Sequence, residues 1–253
     1  MNENLEKEYV LSSRKRRIVA YIIDHFVMTF LIVGMVFLSL GTNFMDEDNL
    51  SNPMARILPT ALVGFLLYFS KDSIRGISPG KWVMGIMVRN ENNPNEIPSF
   101  GKLFVRNLFL IIYPVEFIVL VSSQEKKRLG DKNAKAIVVK NPNKPTKLPR
   151  ILALVGIGIT FFTFIFFFAG SAMKSSDAYK VAISEIGQNE EILSEIGGIK
   201  DYGMMPTGSL NISNGYGEAR LNIRVIGNEK DINVRVYLSK EPNGKWELIE
   251  LNK

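Results

Sequence analysis

Between Ile151 and Ala169 the chain contains only apolar residues, Gly and Thr, including the aromatic run Phe161-Phe162-Thr163-Phe164-Ile165-Phe166-Phe167-Phe168. A helix built from such a stretch has no polar face to offer water, so it belongs in lipid or in a large core. At 1.5 Å per residue, about 20 apolar residues cross a hydrocarbon layer about 30 Å thick. Three earlier blocks repeat the theme. Ile18–Leu40 is interrupted only by Asp24 and His25. Met54–Ser70 is shorter, with Arg56 and Pro59 near its start. Phe104–Val121 carries Arg106 near its beginning, then Pro114 and Glu116 at mid-depth. A polytopic membrane protein is the expectation.

Charge then sets the orientation, because Lys and Arg flanks stay on the cytoplasmic side. Lys7 and the run Arg14-Lys15-Arg16-Arg17 place the N-terminus inside, and Ile18–Leu40 reads as a retained anchor because it exceeds a signal-peptide core. Asp46, Glu47 and Asp48 mark the next loop as outside. Lys71, Arg75, Lys81, Arg89 and Lys102 bring the chain back inside. The connection after Phe104–Val121 is the most basic of all, from Lys126 to Arg150, so a single crossing there would strand these charges outside. A block that breaks near Pro114 and returns removes the conflict, since proline deletes a helix hydrogen bond. Pairing two short strands, Val83–Val88 and Ala136–Val139, also requires both on one side. The expectation is therefore three full spans and one re-entrant pair. The last span leaves the C-terminal residues outside. Residues 1–170 sum to +8 and residues 171–253 to −2, so the basic excess reflects membrane topology and not a nucleic-acid patch.

After Ser175 the pattern becomes that of a soluble domain. Ser176-Asp177 caps a helix (AYKVAISEI) that Gly187 interrupts, and NEEILSEI forms a second. Period-two alternation follows in Ala219–Val225 and Ile232–Leu238, with further strands at Ser209–Ser213 and Lys245–Leu251. The predicted fold class is an α-helical polytopic membrane domain (residues 1–145) followed by a single transmembrane helix and a small α+β domain (146–253). The α+β domain holds an antiparallel sheet of about four strands.

Chemistry is sparse. With no Cys and one His, thiolate metal sites and a Cys nucleophile are excluded and a hydrolase triad is disfavoured. No paired-carboxylate or metal-ligand spacing appears in the tail, so no catalytic residue, metal or cofactor is expected, and the chain reads as a non-enzyme. Arg220, Arg224 and Arg235 fall on one sheet face, a stripe of the kind that is usually just a solvated face. Arg17 and Asp24 lie two turns apart on one helix face. A carboxylate inside a span is costly and needs a partner. Asp24 therefore either marks an ion or proton site, or pairs with Arg17 or Arg106 to fix helix packing. Asp131 can meet Arg17 at the cytoplasmic surface, and Glu116 can brace the broken helix or carry a proton. Gly76-Ile77-Ser78-Pro79-Gly80-Lys81-Trp82 lacks the spacing of a phosphate loop and reads as a tight turn before the strand at Val83.

Taken together, RRIVAYIID with Arg17 and Asp24, ISPGKWVMGIMV, the FVRN around Arg106, and RLGDKNAKAIVV with Asp131 resemble the RDD family of membrane proteins, named for one arginine and two aspartates. Gly130 and Lys135-Ala136 depart from residues common in that family. The resemblance implies no settled activity, although some members have been linked to cation transport. The last span and the tail resemble the cytochrome oxidase complex assembly protein 1 (Coa1) family, through Tyr179-Lys180-Val181-Ala182, GEARLNIRVIG, INVRVYL and GKWELIEL. That resemblance implies a non-catalytic helper of membrane-complex assembly, with the respiratory oxidase as the complex. The expected function is an interaction or assembly factor that sits in the bilayer, of a bacterial cytoplasmic membrane, and meets a membrane-protein subunit. Movement of cations or small solutes through the membrane half is the alternative.

Overall fold

The computed structural model describes residues 9–41 and 53–253. Lys7 and the acidic loop at Asp46, Glu47 and Asp48 lie outside the described residues. The chain divides into two units, Met1–Met35 with Pro59–Phe161, and Val36–Leu58 with Phe162–Lys253.

In the first unit, α1 (Arg14–Leu40) turns a stripe of Arg17, Ala20, Asp24 and Met28 inward. The intervals of three and four are those of one helix face. Helix α2 (Pro53–Ser70) follows, with Pro59 inside it. The expected tight turn at Pro79 is instead a helix, α3 (Pro79–Met84), because Ser78 accepts from the Lys81 N–H and Pro79 suits the first turn. Gly85 ends it in the left-handed region, so the strand starts later than the sequence suggested, as β1 (Ile86–Asn90). Its antiparallel partner β2 (Ala136–Lys140) pairs Asn90 with Ala136 and Ile86 with Lys140. Ile86, Val88, Ala136 and Val138 pack with Ala20 and Leu103 in one apolar cluster.

The third apolar block is broken where expected. Helix α4 (Phe100–Leu108) passes into a 3-10 turn at Phe109–Ile112, and α5 (Tyr113–Ser122) resumes with Pro114 in its first turn. Ile112 leaves helical geometry at φ −101°, ψ 44°. The two halves return to the same end of α1. Leu103 joins the Ala20 cluster, and Arg14 donates to the carbonyls of Leu120 at 3.2 Å and Ser123 at 2.7 Å. Tyr113 and Phe117 lie against Tyr21 one to two turns further along α1, so α5 runs antiparallel to it. By length and apolarity alone, Arg14–Leu40, Phe100–Ser122 and Lys147–Ser175 can each cross a membrane, while Met54–Ser70 is shorter. Met54–Ser70, expected as a full span, is thus shorter than Phe100–Ser122, expected as a re-entrant pair. The latter reaches its length only when the segments on either side of the break are joined. The short α6 (Leu129–Asn133) precedes β2.

Helix α7 (Lys147–Ser175) has 29 residues, and its most apolar 18-residue window contains no buried residue. An apolar helix without protein cover is one that lipid must cover. In the second unit, α8 (Asp177–Gln188) starts at the Ser176 cap, runs through Gly187 instead of stopping there, and is followed by α9 (Glu190–Ile196). The sheet has five strands. β3 (Ile199–Tyr202) is added to those read from the sequence, β4 (Thr207–Ser213), β5 (Tyr216–Gly227), β6 (Asp231–Lys240) and β7 (Glu247–Asn252). β3 and β4 share one edge of β5, and β6 and β7 continue from the other. Alternation decides the core. Ala219, Leu221, Ile223, Val225, Val234, Val236 and Leu238 meet Ala182, Ile186, Ile192 and Ile196 of the helices. Trp246 closes one end of this core and is 8% exposed.

Candidate functional site

The inward stripe of α1 feeds a buried ionic network whose members come from distant parts of the sequence. Asp24 accepts from the Ser78 hydroxyl and from the Gly80 N–H, both at 2.6 Å, and Lys81 Nζ stands 3.7 Å away. Gly80 makes this approach because a Cβ there would collide with the Ala20 carbonyl oxygen. Lys81 donates to Asp72 at 2.6 Å and to Ser78 at 3.1 Å. Arg106 then bridges two carboxylates, Nη1 to Asp72 at 2.7 Å and Nε to Asp131 at 2.8 Å. Arg17 closes the series on Asp131 and on the Lys126 carbonyl. Cations and carboxylates thus alternate, as Asp24, Lys81, Asp72, Arg106, Asp131 and Arg17.

Two further groups hold α6 in place. Asp131 accepts from the Arg128 backbone N–H at 3.1 Å and caps its own helix. Glu116 accepts from the Gly130 N–H at 2.9 Å, reaching from α5. Gly130 has no room for a side chain, since a Cβ would strike the Arg106 carbonyl oxygen. Arg128 Nε lies 3.4 Å from both Asp131 and Glu116, and its Nη2 donates to Asn107 at 3.3 Å.

Burial in this network favours neutral side chains, but charge proximity overturns it at the carboxylates. Burial would raise Asp131, yet Arg17, Arg106 and Arg128 hold it far below the usual carboxylate range. Asp72 is likewise held low against its burial, by Lys81 and Arg106. Burial, with Arg106 nearby, lowers Arg128 to about 10. Lys71 differs from the other cations. Its Nζ is buried without a hydrogen-bond partner, 4.0 Å from the centre of the Tyr68 ring and 5.8 Å from that of Tyr21. Burial lowers it to about 8.

Of the residues singled out from the sequence, Arg17, Arg106 and Asp131 are in direct contact, and Asp24 joins them through Lys81 and Asp72. Asp24 pairs with neither Arg17 nor Arg106, which corrects that expectation. Seven residues raise it about 10 Å along α1 from Arg17, where it meets the start of α3 instead. His25 is exposed, 3.4 Å from the Tyr68 hydroxyl. Asp72, Lys81 and Arg128 were missed as site residues. The available signal was a carboxylate, Asp72, placed directly after an apolar block and inside a basic stretch. Among the described residues no group of three or more His, Cys, Asp or Glu is placed to hold a metal.

The second unit has its own concave surface, described separately. The sheet face not covered by α8 and α9 carries Arg220, Asn222, Arg235 and Tyr237, with Glu250 and Asn252 from β7 beside them. Together they line a groove of about 550 Å³. The Arg220 guanidinium sits 5.2 Å from the Tyr237 ring centre. Arg224 is on the same face but paired with Asp231 at 2.8 Å.

No curated protein and no solved structure matches this chain. The resemblance of the tail to the cytochrome oxidase complex assembly protein 1 family gains no support from the comparisons. The RDD family matches residues 11–183, a stretch that contains the whole ionic network. With that match and its apolar helices, the chain is a membrane protein belonging to the RDD family.

Proposed function

We propose that this protein is a non-catalytic interaction or assembly factor in a bacterial cytoplasmic membrane. Its N-terminus is cytoplasmic, α4 and α5 form a re-entrant pair, and the five-stranded domain is extracytoplasmic. The membrane unit anchors the chain, and the open sheet face binds a carboxylate-bearing segment of a membrane-complex subunit. The observation that carries this reading is the groove. One sheet face is sealed by helices, whereas the other presents Arg220 and Arg235 over an aromatic floor at Tyr237. Arginine and tyrosine are the residue types that dominate binding at protein interfaces. The saturated Asp24 supports the anchoring role as well, because both of its oxygens are engaged. The tail's resemblance to an oxidase assembly family is what names a respiratory oxidase as the complex.

The test is capture of the full chain from solubilised membranes, followed by mass spectrometry. The expected result is a membrane-complex subunit that copurifies with the native protein and is lost with Arg220→Glu/Arg235→Glu. Recovery of the protein alone, or equal capture by both forms, rejects the proposal. Transport of cations or small solutes is a second reading, favoured by ionisable side chains buried within membrane helices. It predicts ion flux in vesicles that Asp24→Asn abolishes without loss of expression.

A further inference from the structure

Among the described residues, four buried side-chain atoms find no hydrogen-bond partner, and two of them, Lys71 Nζ and Glu116 Oε2, belong to residues that line one internal cavity. The cavity measures about 30 Å³. That is room for a water, which requires roughly 10–15 Å³ and polar partners on its walls. One partner is a donor with no acceptor. The other is an acceptor whose nearest cation, Arg128 Nε, stands 3.4 Å away without hydrogen-bond geometry.

The other charged groups facing Lys71 are committed. On α1, Arg17 is held by Asp131 and Asp24 by Ser78 and Gly80. Lys81 of α3 is held by Asp72. Arg106 of α4 bridges Asp72 and Asp131, and Arg128 before α6 donates to Asn107 and stands 3.4 Å from both Asp131 and Glu116. Tyr21 and Tyr68 present ring faces to the ammonium. Just beyond the cavity wall, Asp72 binds two cations and Asp131 three. Lys71 Nζ and Glu116 Oε2 are therefore the two polar atoms of cavity-lining residues left without a hydrogen bond. Tyr21 also lines a second pocket, of about 420 Å³, together with His25 and Tyr68. The same side chain thus walls both spaces.

We propose that the small cavity is a proton-relay site. A water seated in it accepts a hydrogen bond from the Lys71 ammonium and donates one to Glu116 Oε2, and a proton passes between the two side chains through it. The ammonium gives its proton to the water while the water gives one of its own to the carboxylate. The N–H bond broken at Lys71 is matched by the O–H bond formed at Glu116, and the water is regenerated. A cation and an anion become two neutral groups, which burial favours. This site is independent of the sheet groove, and its failure leaves the partner-binding proposal standing.

Infrared difference spectroscopy on the full-length protein in lipid nanodiscs tests it. The native protein is expected to show a protonated carboxylic acid band at neutral pH that shifts in heavy water and disappears as the pH is raised. Glu116→Gln should abolish the band. Lys71→Arg should abolish it too, because a guanidinium keeps its proton and Glu116 then stays ionised. A native protein with no such band overturns the proposal without recourse to any variant. So does a band that survives either substitution in monodisperse protein.

Discussion

Arg106 donates to Asp131 at 2.8 Å across twenty-five positions of sequence, and neither side chain is more than 1% exposed. The same guanidinium holds Asp72. One side chain of α4 therefore ties α6 to the segment that follows α2, and through Arg17 to the start of α1. Arg17, Asp24 and Asp131 thus all belong to one buried network.

Breaking that network should be costly. Asp131→Asn leaves Arg17, Arg106 and Arg128 buried around a neutral amide, and removing one member of a buried pair costs about 3–5 kcal/mol. Thermal melts in detergent should register this as a large loss of stability. Lys180→Ala, at an exposed pair with Asp177, should change it by less than about 1 kcal/mol. Equal effects at the two sites would falsify that expectation.

Gly80→Ala and Gly130→Ala should each prevent normal assembly of the membrane unit. The added methyl group would meet a backbone carbonyl in both cases, that of Ala20 and that of Arg106. Gly156 has nothing within 4 Å of the corresponding point, and Ala is the better helix former by about 1 kcal/mol. Gly156→Ala is therefore expected to express at or above the native level. Size-exclusion profiles of the three variants separate these outcomes.

The pH dependence has two limbs with opposite causes. Asp72 and Asp131 sit below their ordinary range in the folded protein. Their stabilisation is complete above the unfolded carboxylate pKa and is lost as the pH falls below it. Lys71 is lowered to about 8 from 10.5, so the unfolded chain binds the extra proton between these values and stability rises with pH across that window. Lys71→Met should flatten the alkaline limb and leave the acid limb in place. An alkaline limb that keeps its slope in this variant would contradict the assignment.

Trp246 fills the space above Gly217 and is among the buried residues of the sheet core. Trp246→Ala should cost about 3–5 kcal/mol, visible as earlier unfolding of the C-terminal domain by limited proteolysis. The melt of the membrane unit should be unaffected, because the substitution touches none of its ion pairs.

Sidedness can be read directly, since the chain has no native cysteine. Single cysteines at Asn95, Asn141 and Ser213 should differ in intact cells, with only the last labelled by an impermeant maleimide. Labelling at Asn95 or Asn141 would invert the proposed orientation.

Much of this architecture was legible from local pattern. A run such as Ile151–Ala169 has no polar face to offer water, and the alternation of Ala219–Val225 fixes which side chains enter the core. Pro114 likewise announced the break before α5, because a missing N–H cannot be restored from elsewhere in the chain. What the sequence left open was who pairs with whom. Asp24 could have met Arg17 or Arg106 by charge alone. It met Ser78 and Gly80 because α3 arrives there, and Gly80 lets it approach. Hydropathy and periodicity are properties of neighbouring residues, so the chain states them outright. Ion pairs such as Lys81 with Asp72 and Arg106 with Asp131, like the shared cavity of Lys71 and Glu116, depend on distances between remote segments. Only the packed helices set those distances.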